Sequence, residues 1–472
     1  MNNPILENLD PEVVGRPEAE DFDAAAAADV LHEALEQGGD EAVRDWFAHV
    51  QEADIAEILG ELEMPSMVRA LSLLGLEERA EVVGHLPVGL QADYVASLGR
   101  NEVARLLREM SADERADLFN ALETEAQERL LPALAHAERE DIRRLSAYPE
   151  GTAGAVMTSE YASLPEGLTA KQAVDELRRV APDKETIYSA FILDADRRVV
   201  GVVSLRDLIV AAPGMPVSAL METDVISARV EDSQESAAEK IARYDLIALP
   251  ILNGGDRLVG ILTADDAMDV AEAEATEDFH RAGGAIGNIG TSVKDAPIPR
   301  LYRMRVTWLV LLVFANLFSG AGIASFEDTI AGNFALLFFL PLLIASAGNA
   351  GAQASTLMVR ALATGDVQMR DWGSMLGREF LVAVLLGLTM ALAISGIGVW
   401  RGGADLAQVV AVTMVTVVVV GSLIGMSLPF VLSRFKFDPA TASGPLVTSI
   451  ADIAGVLIYF GFATMMLTPA AA

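Results

Sequence analysis

A single carboxylate, Asp452, stands in the middle of an otherwise apolar run, GPLVTSIADIAGVLIYFGFATMML, at 444–467. The run is long enough to cross a bilayer, which takes about 20 residues. An acid at that depth costs roughly 2.5–3.5 kcal/mol on insertion scales, so it faces a water-filled cavity, a cation or an opposite charge. No Lys or Arg stands at mid-membrane depth to pair with it. Helical spacing puts Pro445, Thr448, Asp452, Gly455 and Tyr459 on one face, with Leu446, Ile450, Ile453 and Leu457 opposite. A polar or small stripe of that kind suits the wall of a pore. A second constellation lies at 265–278, DDAMDVAEAEATED, with seven acids and no base. Apolar or small residues between the acids predict a helix, on which like charges four apart (Asp265 and Asp269) repel. A divalent cation would relieve that repulsion.

These groups need membrane helices and a soluble scaffold to hold them. The chain has 472 residues, no Cys and a formal net charge of −33, enough for about three domains. The lack of Cys excludes disulfides, iron–sulfur clusters and thiolate zinc sites. The five His are scattered with no metal-hydrolase spacing, and neither a phosphate loop nor a nucleophile elbow occurs, so no enzyme activity is expected. Residues 301–472 hold eight acids and eight bases, so the whole net charge belongs to residues 1–300. Such a field repels nucleic acid and attracts cations.

Residues 1–23 are rich in Pro and Glu and are expected to be loose. From 24 to 146, apolar residues recur at three and four (Val30, Leu31, Leu35; Ile55, Ile58, Leu59, Leu62), broken by short polar turns. Ser111 followed by Glu114 marks one helix start. The pattern predicts an all-helical superhelix. Between 147 and 270 a unit repeats, and VVGVVSLRD at 199–207 matches LVGILTADD at 258–266. Each copy reads as strand, helix, strand, turn, strand, helix, and the pair resembles tandem CBS domains.

An acidic linking helix and a Gly-rich link (271–300) lead to five apolar spans, at about 306–324, 334–358, 380–400, 408–432 and 445–467. Arg303, Arg305, Arg360, Arg370, Arg378, Arg434 and Lys436 all fall on one side of them. The positive-inside rule then places the N-terminal domains in the cytoplasm and the C-terminus outside. No signal peptide is visible at the N-terminus. The second span is interrupted by SAGNAGAQAST at 346–356, which is tolerated only beside a cavity or inside protein. Asn349, Gln353, Ser355 and Thr356 are expected to point there. Gly421 and Gly425 of the fourth span allow close helix packing.

In this order the parts resemble the MgtE magnesium channel family: a multidomain chain with an all-α N-terminal superhelix, α/β tandem CBS domains, a linking (plug) helix and a five-helix transmembrane domain. The carrying residues are YPEGTAGAVMT at 148–158, EAEATED at 272–278, GNAGAQAS at 348–355 and FDPATASGPLVTSIAD at 437–452. The resemblance implies a homodimer in the plasma (inner) membrane, Mg²⁺ as substrate, and cytoplasmic Mg²⁺ sites that shut the pore. Mg²⁺ keeps most of its water and is held by one or two carboxylates. Two copies of Asp452 on a two-fold axis would meet that need, with Thr448 and Asn349 beside them. The regulatory positions implied by the resemblance are Glu81, Asp113 and Asp117 in the superhelix. In the CBS pair they are Glu235, Ala242 (by its carbonyl), Asp245, Asp266 and Asp269, and in the linking helix Glu274, Glu277 and Asp278. Ser233 replaces a common carboxylate. In the nucleotide pocket Tyr188, Arg206 and Asp207 fit, but Ser189 and Leu246 replace aromatic residues that would stack on adenine, which argues against ATP binding. Two other readings are a proton-coupled divalent-metal carrier, in which Asp452 titrates, and a membrane-anchored metal or nucleotide sensor.

Overall fold

The computed structural model describes residues 23–134, 136–285, 296–442 and 444–467. Nearly all of the N-terminal segment expected to be loose, much of the Gly-rich link and the extreme C-terminus lie outside the described residues. The chain falls into two compact units, which divide at Ala273/Glu274.

The first unit opens with ten short α-helices, from Ala24–Glu36 to His136–Leu145. Their apolar faces close one core that includes Leu31, Ile58, Leu71, Val83, Leu106 and Leu118. The helix starts follow from local chemistry. Asp23 accepts from the amides of Ala25 and Ala26 at 3.1 Å. Glu114 reaches back to the Ser111 amide at 3.4 Å, which starts the helix Ala112–Ala121.

The repeated segment forms two three-stranded sheets. In the first, β1 (Tyr161–Pro165) pairs parallel with β2 (Thr186–Leu193), which pairs antiparallel with β3 (Val199–Ser204). The second repeats this with β4 (Ala228–Arg229), β5 (Ala248–Leu252) and β6 (Leu258–Thr263). The modules exchange edges. Thr158, ahead of the first module, trades both backbone hydrogen bonds with Ile261 at 2.8 and 2.9 Å, and Glu222 does the same with Val202. The shared V-G motif has a packing cause here. A Cβ on Gly260 would lie 2.5 Å from the Met157 sulfur, and one on Gly201 would lie 2.8 Å from that of Met221. Each Met-containing lead-in therefore needs a glycine in its neighbour's last strand. The closing helix, Ala264–Ala282, runs straight through the boundary expected at 270/271, because its helical pattern continues through the acidic stretch.

The second unit holds the apolar helices Ile298–Ala324, Leu336–Ala363, Trp372–Arg434 and Gly444–Leu467, all long and apolar enough to cross a membrane. At 63 residues, Trp372–Arg434 would be roughly 95 Å long if straight, about three bilayer cores. It reverses instead at Gly403, whose φ of 79° and ψ of −176° no β-carbon would tolerate well. A Cβ on Gly398 would touch Ala407, and one on Gly387 would touch Val415, so 372–402 and 404–434 pack antiparallel. They are the third and fourth of five spans. The second and fourth spans meet almost backbone to backbone: a Cβ on Gly425 would lie 1.9 Å from the Gly351 carbonyl oxygen, and one on Gly421 would lie 2.3 Å from that of Ala347. The first span keeps a large apolar surface open, with Leu309, Val313, Phe314, Leu317 and Phe318 all more than half exposed.

Candidate pore and metal-binding sites

In the second unit, Asp452 is half-buried on the fifth span, and one of its carboxylate oxygens is sealed from solvent without a hydrogen-bond partner among the described residues. An orphaned oxygen in an apolar span is a poor packing element and a good cation ligand. Thr448, one turn earlier, donates to the Gly444 carbonyl at 2.8 Å and leans on Gly348 of the second span. Asn349 and Gln353 stand on an open face of that second span. Two residues differ from expectation. Ser355 is buried and donates to the Ala442 carbonyl at 2.8 Å, and Thr356 bonds its own helix at Ala352. The stripe read along the fifth span also divides. Tyr459 is fully buried and donates to the Leu336 carbonyl at 2.9 Å, and Gly455 packs beside Ile344. Only its first half, Pro445 to Asp452, stays partly open, because the second half is needed to hold the second span in place.

The linking-helix residues Glu274, Glu277 and Asp278 are half-buried within this unit. Burial raises the Asp278 carboxyl, against the nearby Arg281. Arg281 pairs with both Glu277 and Asp438, and Asp438 in turn caps the Ala440 amide at 2.7 Å on the approach to the fifth span.

In the first unit, carboxylates crowd where the helix Ala112–Ala121 meets the CBS pair. Burial raises the Asp113 carboxyl above the ordinary value, against the nearby Ser111 and Thr158 side chains. One of its oxygens is buried with no hydrogen-bond partner among the described residues. Asp266, bonded by Thr263, is pushed up to about 7 by burial and then by Asp113, Asp265 and Asp269. Asp117 is pushed up to about 7 by the protein packed around its carboxyl and then by Asp113, Glu114 and Glu150, although its side chain keeps an open edge to solvent. Asp269 is raised by burial and then by Glu272 and Asp265. Of the residues named from sequence, the structure therefore brings Asp113 near both Asp117 and Asp266, and Asp269 follows Asp266 three residues on along the same helix. Glu81 is exposed on the helix Leu76–His85. Glu235 and Ala242 are exposed along Gln234–Tyr244, and Asp245 caps that helix in the left-handed conformation. Tyr188, Arg206 and Asp207 are also exposed, and Asp207 accepts from Ser204 at 2.6 Å.

Three acids of this cluster were not singled out from sequence: Glu114, Glu160 and Glu185. Burial raises all three, and Glu185 reaches about 8. Glu114 was visible only as a helix cap. Glu160 and Glu185 come together through strand pairing, which sequence spacing does not reveal. Among the described residues, no three carboxylates or histidines converge tightly enough to ligate a bare ion. The donors are nevertheless all oxygen, the set a hard cation that retains its water requires.

Comparison with known proteins covers most of the chain. The MgtE family, described as a divalent cation transporter, matches residues 340–462; the MgtE intracellular N domain matches 50–151; CBS domains match 153–214 and 217–273. The magnesium transporter MgtE of Thermus thermophilus is 41% identical over 327 residues, 69% of this chain and 72% of that one. The magnesium transporter MgtE of Bacillus subtilis is 37% identical over 324 residues, 68% and 71% of the respective chains. A crystal structure of the cytosolic domain of the Mg²⁺ channel MgtE in complex with ATP is 38% identical, with a TM-score of 0.49, covering 52% of this chain and 99% of that one. The helical N domain, the CBS pair and the bundle of membrane-spanning helices thus have one common source: the chain belongs to the MgtE family of divalent cation transporters.

Proposed function

We propose that this protein conducts Mg²⁺ across the membrane and is shut by Mg²⁺ on its cytoplasmic side. The observation that carries the pore is the orphaned carboxylate oxygen of Asp452 on an apolar helix. The open polar face at Asn349 and Gln353 supports a homodimer, since polar side chains facing lipid are costly and a second copy would cover them around a water-filled axis. Thr448 and Asn349 then hold the water shell of the ion. The distribution of Arg and Lys supports a cytoplasmic N-terminal region in the plasma membrane and an outward C-terminus.

Gating follows from charge. Two like unit charges 4 Å apart repel by about 4 kcal/mol at an effective dielectric of 20. Mg²⁺ bound among Asp113, Asp117, Asp266 and Asp269 stabilises the packed arrangement, and a ligand that favours one arrangement shifts the population towards it. Glu81, Glu235, Ala242, Asp245, Glu274, Glu277 and Asp278 are the further regulatory ligands in this reading. Nucleotide plays no part in it. The test is Mg²⁺ flux into proteoliposomes with and without a pH gradient. Flux that needs the proton gradient would instead establish a proton-coupled carrier, and no flux under any condition would leave a membrane-anchored sensor.

A further inference from the structure

The pairing of β1 with β2 places two glutamates side by side. The Glu185 amide donates to the Glu160 carbonyl at 2.8 Å, one residue ahead of the register pair Tyr161 and Thr186. Like charges directly across neighbouring strands are destabilising. Here both also lie close enough to Asp113 to feel its charge, and Glu185 to Asp266 as well. The bases beside Glu160 are Arg115 and Lys184. Arg115 Nη2 is 3.7 Å from Glu160 Oε1 but is already used at 2.7 Å by the Met110 carbonyl. Negative charge therefore exceeds positive around a point where the Asp113 carboxyl is buried and one of its oxygens has no partner. That orphaned oxygen is the independent sign of a missing ligand.

We propose that Glu185, with Glu160 beside it, completes the divalent-cation site that Asp113 and Asp266 begin. The inference rests on the Mg²⁺-gating reading and adds to it the first CBS module as a ligand-bearing element. Asp113 and Asp266 are the inner ligands. Glu160 and Glu185 accept hydrogen bonds from the water that Mg²⁺ keeps, which accounts for a cluster too open to hold a bare ion. The Glu185 side chain is open to solvent, so a hydrated ion can reach it.

The full-length chain in detergent, titrated with Mg²⁺ alone, tests this by limited proteolysis and by thermal unfolding. Glu185→Gln should raise the Mg²⁺ midpoint for protection about tenfold, equivalent to 1.4 kcal/mol. In EDTA at a pH high enough to ionise Glu185, the same variant should unfold at a higher temperature than wild type, because one repelling charge has gone. Glu185→Asp, which keeps the charge, should hold the midpoint within about threefold. A midpoint unmoved in Glu185→Gln, or a loss of stability equal with and without Mg²⁺, would assign Glu185 a structural role and overturn the proposal while leaving gating intact. A wild-type chain whose cleavage ignores Mg²⁺ would overturn both.

Discussion

Replacing Gly425 by Ala tests how the second span is held. The new methyl carbon would start 1.9 Å from the Gly351 carbonyl oxygen. An ordinary carbon–oxygen contact is about 3.3 Å, so the second and fourth spans must part by about 1.4 Å. The obstacle is backbone and cannot rotate away. Gly421 against Ala347, one turn earlier, would be pulled apart with it. A gap of even 0.5–1 Å forfeits roughly a quarter to a half of each dispersion contact along the seam. Overpacking of this kind costs typically about 1–3 kcal/mol. The better helix propensity of Ala returns at most about 1 kcal/mol. A net loss of about 2 kcal/mol should lower the unfolding temperature of the purified protein by roughly 4–8 °C. Because the second span carries Asn349 and Gln353, Mg²⁺ flux should fall as well. Gly396→Ala is the control: nothing lies within 4 Å of its Cβ position, so propensity alone acts and the melting temperature should hold or rise. Equal melting temperatures for the two variants would refute the close-approach argument.

Asp452→Ala should abolish Mg²⁺ uptake in proteoliposomes while the protein still purifies folded, and Asp452→Glu should retain part of the flux with altered metal selectivity; wild-type flux from inserted Asp452→Ala would end the pore assignment. Stability without Mg²⁺ should fall between about pH 4 and 8. Asp117 and Asp266 are raised to about 7 and Glu185 to about 8, so the folded chain holds protons there that the unfolded chain has released, and that advantage is lost as pH passes through these values. Millimolar Mg²⁺ should flatten the slope; a melting temperature indifferent to pH in EDTA would contradict the buried cluster. ATP added to the full-length protein in a calorimeter should give weak heats or none, since Ser189 and Leu246 offer no stacking surface, and micromolar affinity would overturn that reading.

Much of the architecture could be read from the chain because it rests on local patterns. Five apolar spans, a helical region with three-four periodicity and a repeated strand–helix unit each leave a signature within a window of some twenty residues. Even Asp452 announces itself, since an acid inside an apolar run has few explanations. What stayed hidden depends on partners distant in sequence. Helical spacing put Tyr459 and Asp452 on one stripe, but only the neighbouring second span decides that Tyr459 seals against Leu336 while Asp452 does not. Glu160 and Glu185 are 25 residues apart and meet through a parallel strand pair whose register no periodicity discloses. The exchange of Met157 and Met221 between the CBS modules was present as a repeated Met and a repeated Gly, with nothing to say that each serves the other copy.

The reversal at Gly403 has a consequence for how the protein reaches the bilayer. The third and fourth spans are joined by almost no loop, so neither can insert and wait for the other. In the orientation proposed above they enter as one hairpin, and its tip, RGGAD at 401–405, is what passes through the hydrocarbon. That tip carries a single base, Arg401, whereas the segment on the opposite side, 359–378, holds three, Arg360, Arg370 and Arg378. The asymmetry makes passage in one direction the easier of the two. Arg401 lies over the ring of Phe338, 5.1 Å from its centre, and docks the hairpin tip onto the second span.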